Sequence, residues 1–176
     1  MRSSPCLKVR GFTRRGAGFT LIEILVVIGI IAILAAIVII AINPARQFAQ
    51  SRNTQRESNI NTILNAIGQR IADSKGVFHS GTGCDALATS TLYTIAKTTT
   101  NPPANPLDLS CLVPTYIPSA LPFDPGAQNA HWVSATDYDT EYTVEVDSLG
   151  RFMVCAPSSS ESAISTPPPP ELCVTR

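Results

Sequence analysis

Phe19-Thr20-Leu21-Ile22-Glu23-Ile24-Leu25-Val26-Val27-Ile28 opens an apolar run that continues to Ile42. From Ile24 to Ile42 the chain places 19 residues without one charged or strongly polar side chain. Coiled as an α-helix at about 1.5 Å per residue, this stretch spans about 28 Å, close to the hydrocarbon thickness of a bilayer. Its many Ile and Val residues do not argue against a helix, because in lipid the backbone must satisfy its hydrogen bonds internally. Arg2, Lys8, Arg10, Arg14 and Arg15 precede the run without an intervening acid. The positive-inside rule therefore places the leader in the cytoplasm and the C-terminal part outside. A secretory signal peptide would need a small-x-small cleavage site behind the run. Asn43-Pro44-Ala45 is a poor one, and the run is long for such a peptide.

Glu23 stands at the head of this run. A carboxylate in an apolar membrane segment is costly, and residues of this kind usually serve function. Beyond the run, Asn43-Pro44 interrupts the helical pattern, since proline removes one backbone hydrogen bond and kinks or breaks a helix. From Arg46 to Lys75 the pattern is amphipathic. Ile60, Ile63, Leu64, Ile67 and Ile71 form one stripe, and Arg52, Arg56, Glu57, Gln69 and Arg70 fall on other faces. Gly76 is the expected stop.

The remainder is polar and acidic. Five of the 13 Lys and Arg lie in the first eighteen residues, leaving eight against all 13 Asp and Glu, a net charge of −5. That balance argues against a surface for a phosphate backbone, and no direct nucleic-acid site is expected. Cys6 belongs to the leader; Cys84, Cys111, Cys155 and Cys173 all lie beyond the apolar run. An even number of cysteines in a small exported domain points to disulfides. Three pairings are open, and nearest-neighbour pairing, Cys84 with Cys111 and Cys155 with Cys173, is the expectation. Zinc is disfavoured, because there is no Cys-x-x-Cys and the histidines are His79 and His131.

Gly76 to Pro106 reads as a long, polar connection with an apolar patch at Leu87 to Ala96. Asp137 to Asp147 alternates, with Tyr138, Thr140, Tyr142, Val144 and Val146 on one face and Asp137, Asp139, Glu141, Thr143, Glu145 and Asp147 on the other. This predicts a half-buried strand with a solvated acidic face. Ser148-Leu149-Gly150 turns the chain, and Arg151 to Cys155 returns as a second strand. Asp137-x-Asp139-x-Glu141 begins like an EF-hand loop, but Tyr142 stands where that loop needs Gly and Ser148 where it needs Glu. Pro157 to Pro170 is a polar, polyproline-like loop between two cysteines.

Gly18-Phe19-Thr20-Leu21-Ile22-Glu23, after a basic leader and before an apolar helix, resembles the processing and methylation site of type IV prepilins and type II secretion pseudopilins. The resemblance covers about Gly18 to Asn43. It implies that a membrane-embedded prepilin peptidase cuts between Gly18 and Phe19 and methylates the new amine. It further implies that Glu23 meets the terminal amine of a neighbouring subunit during assembly; Glu23 also lies four residues from its own terminus, on the same helix face. Relatives carry a proline about one turn before Pro44. The stretch Tyr116-Ile117 with Leu121-Pro122-Phe123-Asp124-Pro125 resembles the segment that precedes the sheet in major pseudopilins and some pilins. Major pseudopilins bind calcium after a Ser-Leu-Gly element, but here Arg151 follows it. No cofactor or metal is expected, with calcium kept as the alternative.

The implied fold is α+β and pilin-like: a long N-terminal helix, half transmembrane and half amphipathic, packed on a small antiparallel sheet. The expected division is 1–18 basic leader, 19–43 transmembrane helix, 44–75 stem helix with Pro44 as its kink, and 76–176 globular head with disulfide loops. The expected function is a structural filament subunit of a type IV pilus. The alternatives are a pseudopilin of a secretion or DNA-uptake machine, and a pilus-displayed adhesin. The expected partners are copies of itself, the prepilin peptidase, the inner-membrane assembly platform and the bilayer. The chain would cross the inner membrane once, its head outside, before entering an extracellular or periplasmic filament. No Ser/His/Asp set and no Gly-rich phosphate loop suggests an enzyme. Alkylation of the unreduced, processed protein should leave Cys84, Cys111, Cys155 and Cys173 unmodified by mass. Four alkylated sites would show that the compartment has been misread.

Overall fold

A computed structural model describes residues 18–79 and 84–176. Residues 1–17 of the leader, with its five basic residues and Cys6, lie outside the described residues, as do four residues of the connection after the stem. The chain divides into two units, Met1–Asn43 and Pro44–Arg176.

The first unit contains helix α1, Leu21–Ile42. Thr20 caps it in an extended conformation, its Oγ1 accepting a 3.3 Å hydrogen bond from the Glu23 amide. Thr-x-x-Glu is the sequence of a capping box, and the acid lies in the positive first turn. Among the described side chains of α1, the large apolar ones run from 47% exposed at Val27 to 79% at Leu21. Asn43 closes the helix at φ 45°, the left-handed conformation that Asn tolerates better than most residues. Pro44 then opens the next helix, where its missing N–H costs nothing. The expected kink is thus a break between two helices.

The second unit is built on helix α2, Pro44–Asp73. Its stripe is buried: Ile60, Ile63, Leu64, Ala66 and Ile67 are all at or below 3% exposure, with Ile71 half-buried beside them. The helix stops where Gly76 N–H bonds Ile71 C=O across Lys75, which takes φ 56°. That 6→1 bond is the Schellman arrangement, with Lys75 rather than Gly76 at the first left-handed position.

Among the described residues six strands form one sheet: β1 (Tyr93–Lys97), β2 (Pro106–Leu107), β3 (His131–Ser134), β4 (Asp137–Val146), β5 (Phe152–Ala156) and β6 (Leu172–Thr175). The order is β2-β1-β4-β5-β6, and β3 pairs with the first half of β4 on the edge that β5 takes along the second half. The expected antiparallel sheet is corrected to a mixed one, because β2 runs parallel to β1. Strand β1 lies within the stretch read as a connection, so that stretch supplies a neighbour of the central strand. Polar residues around a five-residue strand hid it; its Ile95 and Ala96 are fully buried.

Strand β4 departs from the expected alternation as well. Its even-numbered residues Tyr138, Thr140, Tyr142 and Val144 are at 0% exposure, but Asp139 and Thr143 on the supposedly solvated face are 4% and 9% exposed. The cause is local: Glu141 sits at φ 57°, and the register between β1 and β4 shifts there, so a bulge replaces regular pairing. The two tyrosines span the core with their rings and find partners for their hydroxyls. Tyr138 Oη donates to Asp108 Oδ1 at 2.9 Å and accepts from the Leu109 amide at 2.8 Å. Asn59 Nδ2 donates to Tyr142 Oη at 2.9 Å.

Ile63→Ala should lower the stability of this unit by about 2–5 kcal/mol through lost burial and the cavity left behind. Urea unfolding of the detergent-solubilised chain measures it. Trp132, the single tryptophan, packs on Tyr138 at 4.9 Å between ring centroids and reports the transition by fluorescence. Gln69→Ala, on the exposed side of the same helix, should stay within about 0.5 kcal/mol of the wild type.

Candidate functional site

The motif and the helix behind it form the first candidate site. Gly18 has an open approach, with nothing within 4 Å of where a Cβ would stand. Glu23 lies in the first turn of α1 through the Thr20 cap. Behind it, Leu21–Ile39 is long and apolar enough to cross a membrane. A helix that is apolar on all sides is either enclosed by protein or spans a bilayer. The large apolar side chains described for this one stay about half exposed or more. Pro44, the other residue singled out in this region, begins α2 and belongs to the second unit.

The disulfides join Cys84 to Cys111, 27 residues apart, and Cys155 to Cys173, 18 apart. Cys155 and Cys173 are direct register partners on β5 and β6. The first bridge ties the connection after the stem to the turn at Ser110–Leu112, and beside it the amide of Asp108 donates to Asp85 Oδ2 at 3.0 Å. Among the described residues, Cys155, Glu171 and Cys173 stand close enough to resemble a ligand set, but the two sulfur atoms are bonded to each other. Of the acids weighed as a calcium loop, Asp137 lies 3.5 Å from His131 Nε2, and Asp139 and the neighbouring Asp147 accept hydrogen bonds within the chain. Asp139 accepts from the Glu141 amide at 2.9 Å, and Asp147 accepts from Leu149, Arg151 and the Arg151 guanidinium. Backbone donors, chiefly Arg151's, hold the Asp147 carboxyl below its ordinary value.

An ionic cluster on the stem escaped the sequence reading. Arg56, assigned to a polar face, is 1% exposed. Its Nε and Nη2 donate to Asp124 Oδ2 and Oδ1 at 2.7 and 2.9 Å, a bidentate pair, and its Nη1 donates to Glu161 at 2.5 Å. Asp124, 2% exposed, also accepts from the amides of Gly126 and Ala127. Glu161 binds Arg52 through both carboxylate oxygens. Burial works against the charge on Arg56, but the hydrogen bonds from Asp124 and Glu161 outweigh it and raise its pKa above the ordinary value. Gly126 approaches the cluster closely: a Cβ there would stand 3.0 Å from both Arg52 Cδ and Arg56 Nη2, and these side chains would have to give way. A signal for Arg56 was present, because it lies one turn before Ile60 on the buried stripe. Asp124 and Glu161, 68 and 105 residues away, gave no such sign.

Asp124→Ala should cost about 3–5 kcal/mol, since it leaves a guanidinium buried without its main counterion. Glu161→Gln, at the rim of the cluster, should cost only about 1 kcal/mol. Urea midpoints read from Trp132 fluorescence separate the two. Equal losses would mean that Asp124 and Glu161 share the charge of Arg56 evenly.

The family described as the prokaryotic N-terminal methylation motif matches residues 13–39. Neither a curated protein nor a solved structure matches the chain. The motif ends within α1, so it brings Gly18, Phe19 and Glu23 under one pattern with the apolar helix. Proteins of this pilin-like family are structural subunits rather than enzymes. With the methylation motif at its start, an exposed apolar helix behind it and an α+β unit of helix on sheet, this chain fits the type IV prepilin and pseudopilin family.

Proposed function

We propose that the chain is the structural subunit of a type IV pilus-like filament. It is cut after Gly18, N-methylated at Phe19, held in the inner membrane with its head outside, and assembled through α1. The observation that carries this reading is a single carboxylate, Glu23, in the first turn of a helix whose other described residues are apolar and exposed. Lipid and neighbouring apolar helices are nearly equivalent surroundings for such a helix, so hydrophobic burial alone does not drive it from one to the other. The carboxylate changes that balance. In lipid it is unfavourable. Beside the cationic amine of a neighbouring Phe19, in a low-dielectric filament core, the two charges offset each other's desolvation.

The partners in this reading are other copies of the chain, the prepilin peptidase, the assembly platform and, before assembly, the bilayer. Two disulfides in the outer unit favour an exposed pilus over a short periplasmic pseudopilus. The Leu121-Pro122-Phe123-Asp124-Pro125 stretch favours the pseudopilin reading. Filament length on cells, seen by electron microscopy, discriminates between them.

Mass spectrometry of the membrane-extracted protein should show loss of Met1 to Gly18 and a methylated Phe19, and Gly18→Val should trap the precursor. Glu23→Ala should give normal amounts of processed protein with few or no filaments. Filaments of normal number and length from Glu23→Ala would remove Glu23 from assembly and leave only the processing.

A further inference from the structure

Strands β5 and β6 are joined by a chain segment that leaves the sheet at Ala156 and returns at Leu172. Its base is closed. The Cys155–Cys173 disulfide bridges the two strands, with Cα atoms 4.1 Å apart. Ser159, 1% exposed, donates from Oγ to Ala156 C=O at 2.7 Å and accepts from the Leu172 amide at 2.7 Å. Asn53 on α2 donates to Ser159 C=O at 3.0 Å. Past Ser159 the surroundings change. Ser162, Ala163, Ser165, Thr166, Pro167, Pro168 and Pro170 are all exposed. Ile164 and Pro169 are half-buried, and Glu161 ties this outer part to the stem by hydrogen bonds, accepting from Arg52 Nε at 2.9 Å, from Arg52 Nη2, and from Arg56 Nη1 at 2.5 Å.

We propose that this segment is a strap latched to the stem helix by the carboxylate of Glu161, and that protonating that carboxylate opens the strap beyond Ser159 while its base stays closed. The two acids of the cluster differ in the way the device requires. Asp124 is enclosed, bidentate on Arg56 and held by two backbone amides. The Glu161 side chain is 16% exposed and lies at the solvent edge. The charged groups that face Glu161 are Arg52 and Arg56 from α2, with Asp124 behind Arg56 from the loop before β3.

Once Glu161 is neutral, Arg56 keeps Asp124. Arg52, 36% exposed, loses its counterion and can turn to water. Gly126 packs against the same two arginines, so their positions do not depend on the strap alone. The hydrogen bond from Arg52, followed by that from Arg56, holds the Glu161 carboxyl below its ordinary value of 4.5. A depressed carboxyl contributes fully above the unfolded-state value and is lost as pH falls through the lower folded value. The latch is therefore shut at neutral pH and opens on the acid side of 4.5.

The test uses the full chain in detergent micelles and amide hydrogen exchange, corrected for the intrinsic pH dependence of exchange. The reporters are the amide of Glu161, bonded to Ser159 C=O at 2.8 Å, and that of Ile164, bonded to Glu161 C=O at 3.1 Å. The Leu172 amide reports the base. On acidification the two strap amides should lose protection on the order of tenfold, while Leu172 and the amides of Ile63 to Ile67 keep theirs. Glu161→Gln should show the open strap already at neutral pH, with no further change in acid. Wild-type protection of the strap in Glu161→Gln would overturn the proposal. So would loss of strap, base and stem protection together in the acidified wild type, because the strap would then have no opening of its own.

Discussion

A helix that is apolar on every side must bury those sides against something. The large side chains of α1 are about half exposed or more, and each must be covered by lipid or by protein before the molecule is at rest in water. This constraint orders the rest. In the function proposed, the chain needs a membrane to enter, a head with a core of its own, and a signal at the head of the helix that distinguishes lipid from neighbours. Glu23, fixed in the first turn by the Thr20 cap, is that signal in the function proposed.

The head meets its side of the constraint with a core of its own. Stripe residues Ile60 to Ile67 close over Leu109, Leu112, Leu121, Tyr138 and Tyr142. Polar groups enter this core with partners. The tyrosine hydroxyls are taken up by Asp108 and Asn59, and Arg56 by Asp124 and Glu161. A buried ion pair is weak evidence for stability, because desolvation opposes attraction. What Arg56 adds is position. It draws the Pro125–Gly126 turn and the loop of the second disulfide onto the same stretch of stem. The disulfides do comparable work elsewhere. They close segments of 27 and 18 residues' separation, and so reduce the entropy those segments lose on folding.

Several features were legible in the residues because they rest on local physics. The apolar run, its basic leader and its acid need only composition and order. The stem stripe needs only the 3.6-residue period, and α2 buries it as read. The Asp147–Gly150 turn and the return strand β5 follow from alternation and turn chemistry. Other features required knowledge of what lies across the sheet. Strand β1 was hidden in a Thr-rich stretch, because five residues carry little periodic signal. Asp139 was read as solvated because alternation assumes regular pairing, and the bulge at Glu141 removes that assumption.

By itself, then, the sequence determined that this chain has a membrane-type helix with one acid at its head, a methylation motif around it, and an amphipathic stem before an acidic, cysteine-bearing domain. The tertiary structure decided which cysteines pair, that the sheet is mixed, and that Arg56, Asp124 and Glu161 form one cluster. The physical reason is range. Hydrophobic period, caps and charge order act within a few turns and are written along the chain. Ion pairs and strand neighbours more than sixty residues apart depend on loop closure and packing, and no local pattern encodes which acid will meet a buried arginine.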